Sequence, residues 1–145
     1  GSVYDDQSLR YDIALPCATQ NEININRAKN IVNNGCHVVA EGANMPNDNE
    51  AIAYYLNNDV VFAPGKAANA GGVATSALEM TQNSMRYSWS FEEVDAKLHA
   101  IMVNIHRQCV DAIEQYQLNT YDYVKGANIA ALNIVLKAMI EQGDF

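Results

Sequence analysis

Basic residues are scarce in this chain of 145 residues: nine Lys and Arg stand against 17 Asp and Glu, for a net charge of −8. A nucleic-acid surface needs clustered Lys and Arg to neutralise phosphates, so nucleic acid is not expected as a partner. Cysteine is scarce too. Cys17, Cys36 and Cys109 are odd in number and form no C-x-x-C, which argues against a disulfide framework or a zinc site and suits a reducing cytoplasm. All three read as buried thiols. His99 and His106 share a face of one expected helix, but no Cys or carboxylate completes a metal set with them, so no metal is expected. No apolar run approaches the length of a membrane span and no signal sequence opens the chain, so no membrane partner is expected. Neither G-x-G-x-x-G nor a P-loop occurs.

What is present is enough for a core, with 49% hydrophobic residues. Residues 1–2 read as an expression scar. Three short apolar runs, Tyr11–Leu15, Cys36–Ala40 and Asp59–Ala63, read as strands. They are continuous rather than alternating, which suits a sheet covered on both faces. Helices are expected between them. The first covers about Asn26 to Asn33, after a Thr19–Glu22 pair with capping-box spacing and before a stop at Gly35. The second follows an Asn47 or Asp48 cap and packs Ala51, Ile52, Tyr55 and Leu56 inward. Strands at this spacing predict parallel pairing with right-handed crossovers.

The stretch Ala63-Pro64-Gly65-Lys66-Ala67-Ala68-Asn69-Ala70-Gly71-Gly72-Val73-Ala74-Thr75-Ser76 is small and polar and reads as a ligand-approaching loop whose end leads into a helix. A helix with Val73, Ala77 and Met80 in phase is expected from about Gly72 to Ser88. A second, opened by a Ser90–Glu93 capping box, carries a stripe from Val94 through Cys109, Ala112 and Ile113 to Tyr116. A third runs to about Glu141 with Gly143 as its cap. The fold class is therefore α/β: a partial Rossmann-like parallel sheet of about three strands followed by three long C-terminal helices. Residues 3–145 read as the later part of a dinucleotide-binding domain, with 72–145 mainly helical, since such a domain normally begins with the glycine-rich unit absent here.

Ligands of open parallel sheets bind outside the carboxyl ends of the strands. The segments there are Pro16-Cys17-Ala18-Thr19, Glu41-Gly42-Ala43-Asn44 and Pro64–Asn69. Each combines small residues with a hydrogen-bonding side chain (Thr19, Asn44, Asn69), the chemistry of a nucleotide crevice. An alternative is a stand-alone nucleotide-binding or assembly module without catalysis. Lys66 reads as an exposed loop lysine rather than a catalytic amine.

Pro16–Glu22, Ala40–Pro46, Pro64–Ser76, Leu78–Ser84 and Gly126–Ala130 together resemble the hexameric NAD(P)-dependent glutamate dehydrogenases, in order and over nearly the whole chain. The resemblance implies a C-terminal fragment of an oxidoreductase that reversibly deaminates L-glutamate to 2-oxoglutarate and ammonia, with NAD or NADP as cofactor. It implies that Ala18, Thr19, Asn44 and Asn69 line the cofactor cleft, and that Val73 and Ser76 face glutamate, with the Ser76 hydroxyl on its side-chain carboxylate. The catalytic lysine and aspartate of the family belong to an upstream substrate domain. No catalytic residue is therefore expected here, and the chain alone is expected to be inactive. The same resemblance implies a homo-hexamer at full length. Ala77 and Ala131 depart from it, standing where glycine is expected, each adding a methyl group at a helix contact.

Overall fold

The computed structural model describes residues 1–143. A 3-10 turn at Val3–Asp5 opens the chain, and Ser2 caps it in a reciprocal pair with Asp5. The dipeptide set aside as a scar is thus engaged by the fold. Three strands follow, β1 (Ile13–Ala14), β2 (Val38–Ala40) and β3 (Val61–Ala63), alternating with α1 (Ile25–Asn33) and α2 (Asn49–Leu56). The strands pair in parallel in the order β1-β2-β3, with Val39 opposite Ala14 and Phe62. The α/β class holds, although each strand is shorter than its apolar run.

Local chemistry explains the helix ends. Asn24, not Thr19, caps α1: its Oδ1 accepts from Asn26 N at 3.1 Å and Arg27 N at 3.2 Å. Glu22 instead folds back, and its Oε1 accepts from Ala18 N at 3.1 Å. Gly35 leaves α1 at φ +91°, a conformation that only glycine adopts without strain. Asp48 caps α2 through Ala51 N at 2.7 Å. Arg27 closes the amino-terminal segment over α1 with a two-pronged ion pair to Asp5, at 2.7 and 3.1 Å. That guanidinium holds the exposed Asp5 carboxyl below its usual range.

The main core lies between one face of the sheet and α1 and α2. Ala14, Val39 and Phe62 point into it from the strands; Ile23, Ala28, Ile31, Ala51 and Tyr55 meet them. Leu56, expected inside, is 45% exposed because it is the last helical residue. The opposite sheet face is covered only in part, contrary to the two-sided burial expected of continuous apolar strands. Val38, Val61 and Ala63 border a 280 Å³ apolar cavity shared with Met102, Ile105 and Cys109.

Beyond β3 the chain is helical almost without interruption: α3 (Gly65–Ala68), α4 (Ala70–Met85), α5 (Phe91–Gln115) and α6 (Tyr123–Gln142). The segment read as a loop is therefore helix. Ala67, Ala68, Ala70 and Ala74 are as small as loop residues, yet alanine is the best helix former and outweighs the three glycines, Gly65, Gly71 and Gly72. α4 stops at Met85, earlier than expected, when Arg86 turns left-handed at φ +53°. The Ser90–Glu93 capping box forms at the start of α5 (2.7 and 3.2 Å). A second small core sits where α5 crosses α6 at Cys109, Ala112, Ile113 and Ala127. A Cβ on Gly126 would lie 2.8 Å from Cys109 O and 2.9 Å from Ile113 Cγ1, so only glycine lets the helices approach this closely. Tyr116 lies past this crossing and is 47% exposed. Ala77 and Ala131 are both exposed, so their methyl groups crowd nothing.

α6 is long and apolar enough, by length and composition, to cross a membrane, with a mean hydropathy of 1.2. That differs from the absence of any uninterrupted apolar run, because the average tolerates Asn128, Asn133 and Lys137 within the helix. Leu132, Ile134, Val135 and Ile140 are exposed along it.

Candidate functional site

The carboxyl ends of the three strands are tied to one another by main-chain bonds. Pro16 O, after β1, accepts from Gly42 N at 3.0 Å and Ala43 N at 2.9 Å. Glu41 N, after β2, donates to Ala63 O at 3.1 Å. Close approach is built into the first of these contacts: a Cβ on Gly42 would lie 2.3 Å from Cys17 Sγ. Cys17 itself is exposed, unlike the buried Cys36 and Cys109. It stands at the strand end rather than in the core. Burial pushes the Cys36 and Cys109 thiols up, keeping them protonated.

Asn44 and Asn69, singled out on separate segments, meet directly. Asn69 Nδ2 donates to Asn44 Oδ1 at 2.8 Å and to Ala43 O at 3.2 Å. The second bond fixes the orientation, because a carbonyl oxygen can be met only by the amide NH2. Asn44 must then present its oxygen to Asn69. What remains is an NH2 on Asn44 and a carbonyl oxygen on Asn69, neither bonded to protein among the described residues. The pair thus keeps one donor and one acceptor in reserve, the two kinds of group that a primary carboxamide requires of its partner. Ala18 and Thr19 are exposed at the neighbouring strand end, joined to this pair through Pro16 O rather than by side-chain contact.

α4 carries the rest. Asn69 is its N-cap, and at 3.6 residues per turn Val73 and Ser76 fall on the same face, with Ser76 about 10 Å further along the axis. Val73 is 77% exposed. Ser76 Oγ donates to Gly72 O at 3.2 Å, so the hydroxyl bonds its own helix backbone, as Thr75 does to Gly71 O at 2.9 Å. The two glycines divide the work. A Cβ on Gly71 would rest on Met102 and Leu98 of α5, whereas one on Gly72 would meet nothing within 4 Å. Lys66 is exposed, but on α3 rather than a loop, and its Nζ reaches Asn128 Oδ1 on α6 at 2.6 Å.

Sequence reasoning passed over Glu41 as part of a small-residue turn. It is 5% exposed. Its Oε2 accepts from Gly65 N at 2.7 Å and its Oε1 from Asn47 Nδ2 at 3.0 Å. Asn47 Oδ1 in turn accepts from the Tyr55 hydroxyl at 3.1 Å. Burial raises the Tyr55 phenol far above its ordinary range, so it stays a donor. The available signal was a carboxylate closing a Val-Val-Ala strand, where only a satisfied charge is tolerated. Glu41, Asn44, Asn47, Gly65 and Lys66 also border a 680 Å³ cavity between α2 and the start of α6. Among the described residues no group of three or more His, Cys, Asp or Glu is placed to hold a metal ion.

Residues 3–143 match the model of the Glutamate/Leucine/Phenylalanine/Valine dehydrogenase family. The chain is 56% identical over 137 residues to the NADP-specific glutamate dehydrogenase of Escherichia coli, covering 94% of this chain and 30% of that protein. It is 54% identical over 134 residues to the NAD-specific glutamate dehydrogenase of Porphyromonas gingivalis, covering 92% and 30%. The solved glutamate dehydrogenase of Plasmodium falciparum superposes with a TM-score of 0.90 at 46% identity, over 96% of this chain and 30% of that one. The chain thus spans 30% of the length of each of these relatives.

Proposed function

This chain belongs to the Glutamate/Leucine/Phenylalanine/Valine dehydrogenase family, and we propose that it forms the nicotinamide-facing wall of a glutamate dehydrogenase cleft. The reaction is the reversible oxidative deamination of L-glutamate to 2-oxoglutarate and ammonia with NAD or NADP. The observation that carries this reading is the Asn44–Asn69 pair at the joined strand ends, with its donor and acceptor free. A nicotinamide carboxamide needs such a partner: its oxygen takes the Asn44 NH2 and its NH2 gives to Asn69 Oδ1. When bound, the cofactor supplies the hydride acceptor. The chain's own residues hold and orient it: the Asn pair fixes the carboxamide, and Ala18 and Thr19 border the ring from the β1 end.

Val73 and Ser76 face glutamate from one stripe of α4, about one and two turns from the cofactor end at Asn69. For the hydroxyl to donate to a carboxylate, Ser76 Oγ–H must leave Gly72 O, and that 3.2 Å bond is long enough to be given up readily. Ser76→Ala, in an enzyme of full family length carrying this segment, should raise the KM for glutamate about tenfold, one lost hydrogen bond to a charged group. The KM for cofactor should stay within about twofold, since the Asn pair is untouched. Equal losses for both ligands would remove Ser76 from the carboxylate site.

The resemblance to the family assigns acid–base work on the amine to none of the described residues of this segment. That role belongs to a substrate domain of the same polypeptide, assembled as a homo-hexamer in the cytoplasm. The 145-residue chain alone should therefore give no glutamate-dependent reduction of NAD or NADP by absorbance. Clear turnover would show that the chemistry is complete within it.

A further inference from the structure

We propose that Glu41 is the positioning residue of the nicotinamide end: its buried carboxylate clamps the first turn of α3 and thereby sets Asn69 onto Asn44. This rests on the reading of the Asn44–Asn69 pair as the carboxamide site.

The hydrogen bonds form a closed circuit. Glu41 Oε2 accepts from Gly65 N at 2.7 Å. Gly65 O accepts from Asn69 N at 2.9 Å, which places Asn69 one turn above. Asn69 Nδ2 then donates to Asn44 Oδ1, and the chain from Asn44 back to Glu41 closes the ring. The second carboxylate oxygen is held by Asn47 Nδ2 at 3.0 Å, and Tyr55 fixes the Asn47 amide from within the core. A carboxyl group suits this position because each of its oxygens can accept, and both partners here donate. Space is equally restricted: a Cβ on Gly65 would lie 3.1 Å from Ala43 O, 3.2 Å from Asn69 Nδ2 and 3.2 Å from Glu41 Oε2. The start of α3 is therefore pressed against all three parts of the site at once. α3 has four residues and Pro64, its N-cap, offers no side-chain cap, so little within the helix itself holds its orientation.

The test exchanges the charge within the network. Glu41→Gln turns one acceptor into an NH2 that faces either the Gly65 N–H or the Asn47 NH2. Combining Glu41→Gln with Asn47→Asp restores every bond. The introduced amide takes the Gly65 N–H on its oxygen and gives its NH2 to the introduced carboxylate, which also accepts from Tyr55. Two readouts are taken on the whole chain. The first is the pair of side-chain NH2 signals of Asn44 and Asn69 by NMR. The second is affinity for reduced nicotinamide mononucleotide, followed by its fluorescence. In Glu41→Gln the Asn69 NH2 should lose its protection from exchange and affinity should fall about tenfold. The double variant should recover both. A folded Glu41→Gln with unchanged Asn signals overturns the proposal, as does a folded double variant whose Asn pair stays broken. If the double variant restores the Asn signals but not affinity, Glu41 touches the ligand itself and the positioning role is overturned. If Glu41→Gln does not fold, the double variant alone decides by the same signals. A wild-type chain that shows the Asn44–Asn69 signals but does not take the mononucleotide counts against the carboxamide reading, while the variants' signals still decide the role of Glu41.

Discussion

Tyr55→Ala should lower the unfolding free energy by about 4 kcal/mol. Tyr55 is fully buried, and its ring stacks on Phe62 of β3 with centroids 6.0 Å apart. Truncation leaves a cavity between α2 and the sheet that rigid neighbours such as Val39 and Ile31 cannot refill. It also strips Asn47 Oδ1 of its donor, and Asn47 is itself only 4% exposed. Tyr55→Phe separates the two parts. It keeps the ring and should cost about 1–2 kcal/mol, the penalty of one buried acceptor left unmet. Urea unfolding at equilibrium measures both. Equal midpoints for Tyr55→Phe and the parent chain would mean that the hydroxyl bond contributes nothing, and that Asn47 is held by Glu41 alone.

Asn69→Asp should weaken nicotinamide cofactor binding about 100-fold in an enzyme of full family length carrying this segment, a loss of about 2.7 kcal/mol. The substitution is isosteric, but it places an oxygen where Nδ2 now lies 3.2 Å from Ala43 O and 2.8 Å from Asn44 Oδ1. Two acceptors would face the new carboxylate. Asn44 can relieve one contact by flipping its amide, yet the pair then presents two acceptors outward and can no longer receive the carboxamide oxygen. Asn69 lies at the junction of two helices near the surface, so thermal stability should change little. Fluorescence titration with reduced cofactor measures the loss, and an affinity within about twofold of the parent would take the pair out of the carboxamide site.

The two asparagines show what was legible. Each stands just past an apolar run, where the carboxyl ends of parallel strands collect ligand-binding groups. Their types and their positions after β2 and β3 are sequence properties. That they bond each other at 2.8 Å, and that Ala43 O dictates which way both amides point, depends on where α3 lies. The segment from Gly65 to Ser76 shows the opposite case. Its small residues suggested a loop, because alanine and glycine count alike as lack of bulk although their backbone preferences are opposed. As helix, the same residues put Asn69, Val73 and Ser76 on one face.

Leu56 and Tyr116 were in phase with their apolar stripes, yet each ends exposed at the last turn or just past it. Periodicity reports direction around a helix axis and not how far along the axis a neighbour extends. Glu41 was passed over for a related reason. A carboxylate is tolerated inside only when its oxygens find hydrogen-bond donors, and its partners Gly65 and Asn47 come from different elements.

By itself the sequence determined the α/β class, the alternation of strand and helix, most of the caps, and the three segments that stand at the carboxyl ends of the strands. These follow from local preferences: hydrophobic period, cap side chains and the rule that parallel sheets bind at their carboxyl ends. Only the tertiary structure decided that one sheet face is sealed and the other half open, that Gly126 lets α5 and α6 touch, and that the buried Glu41 carboxylate meets the first turn of α3. Those depend on contacts between residues far apart in the chain, and a one-dimensional pattern carries no distance between them.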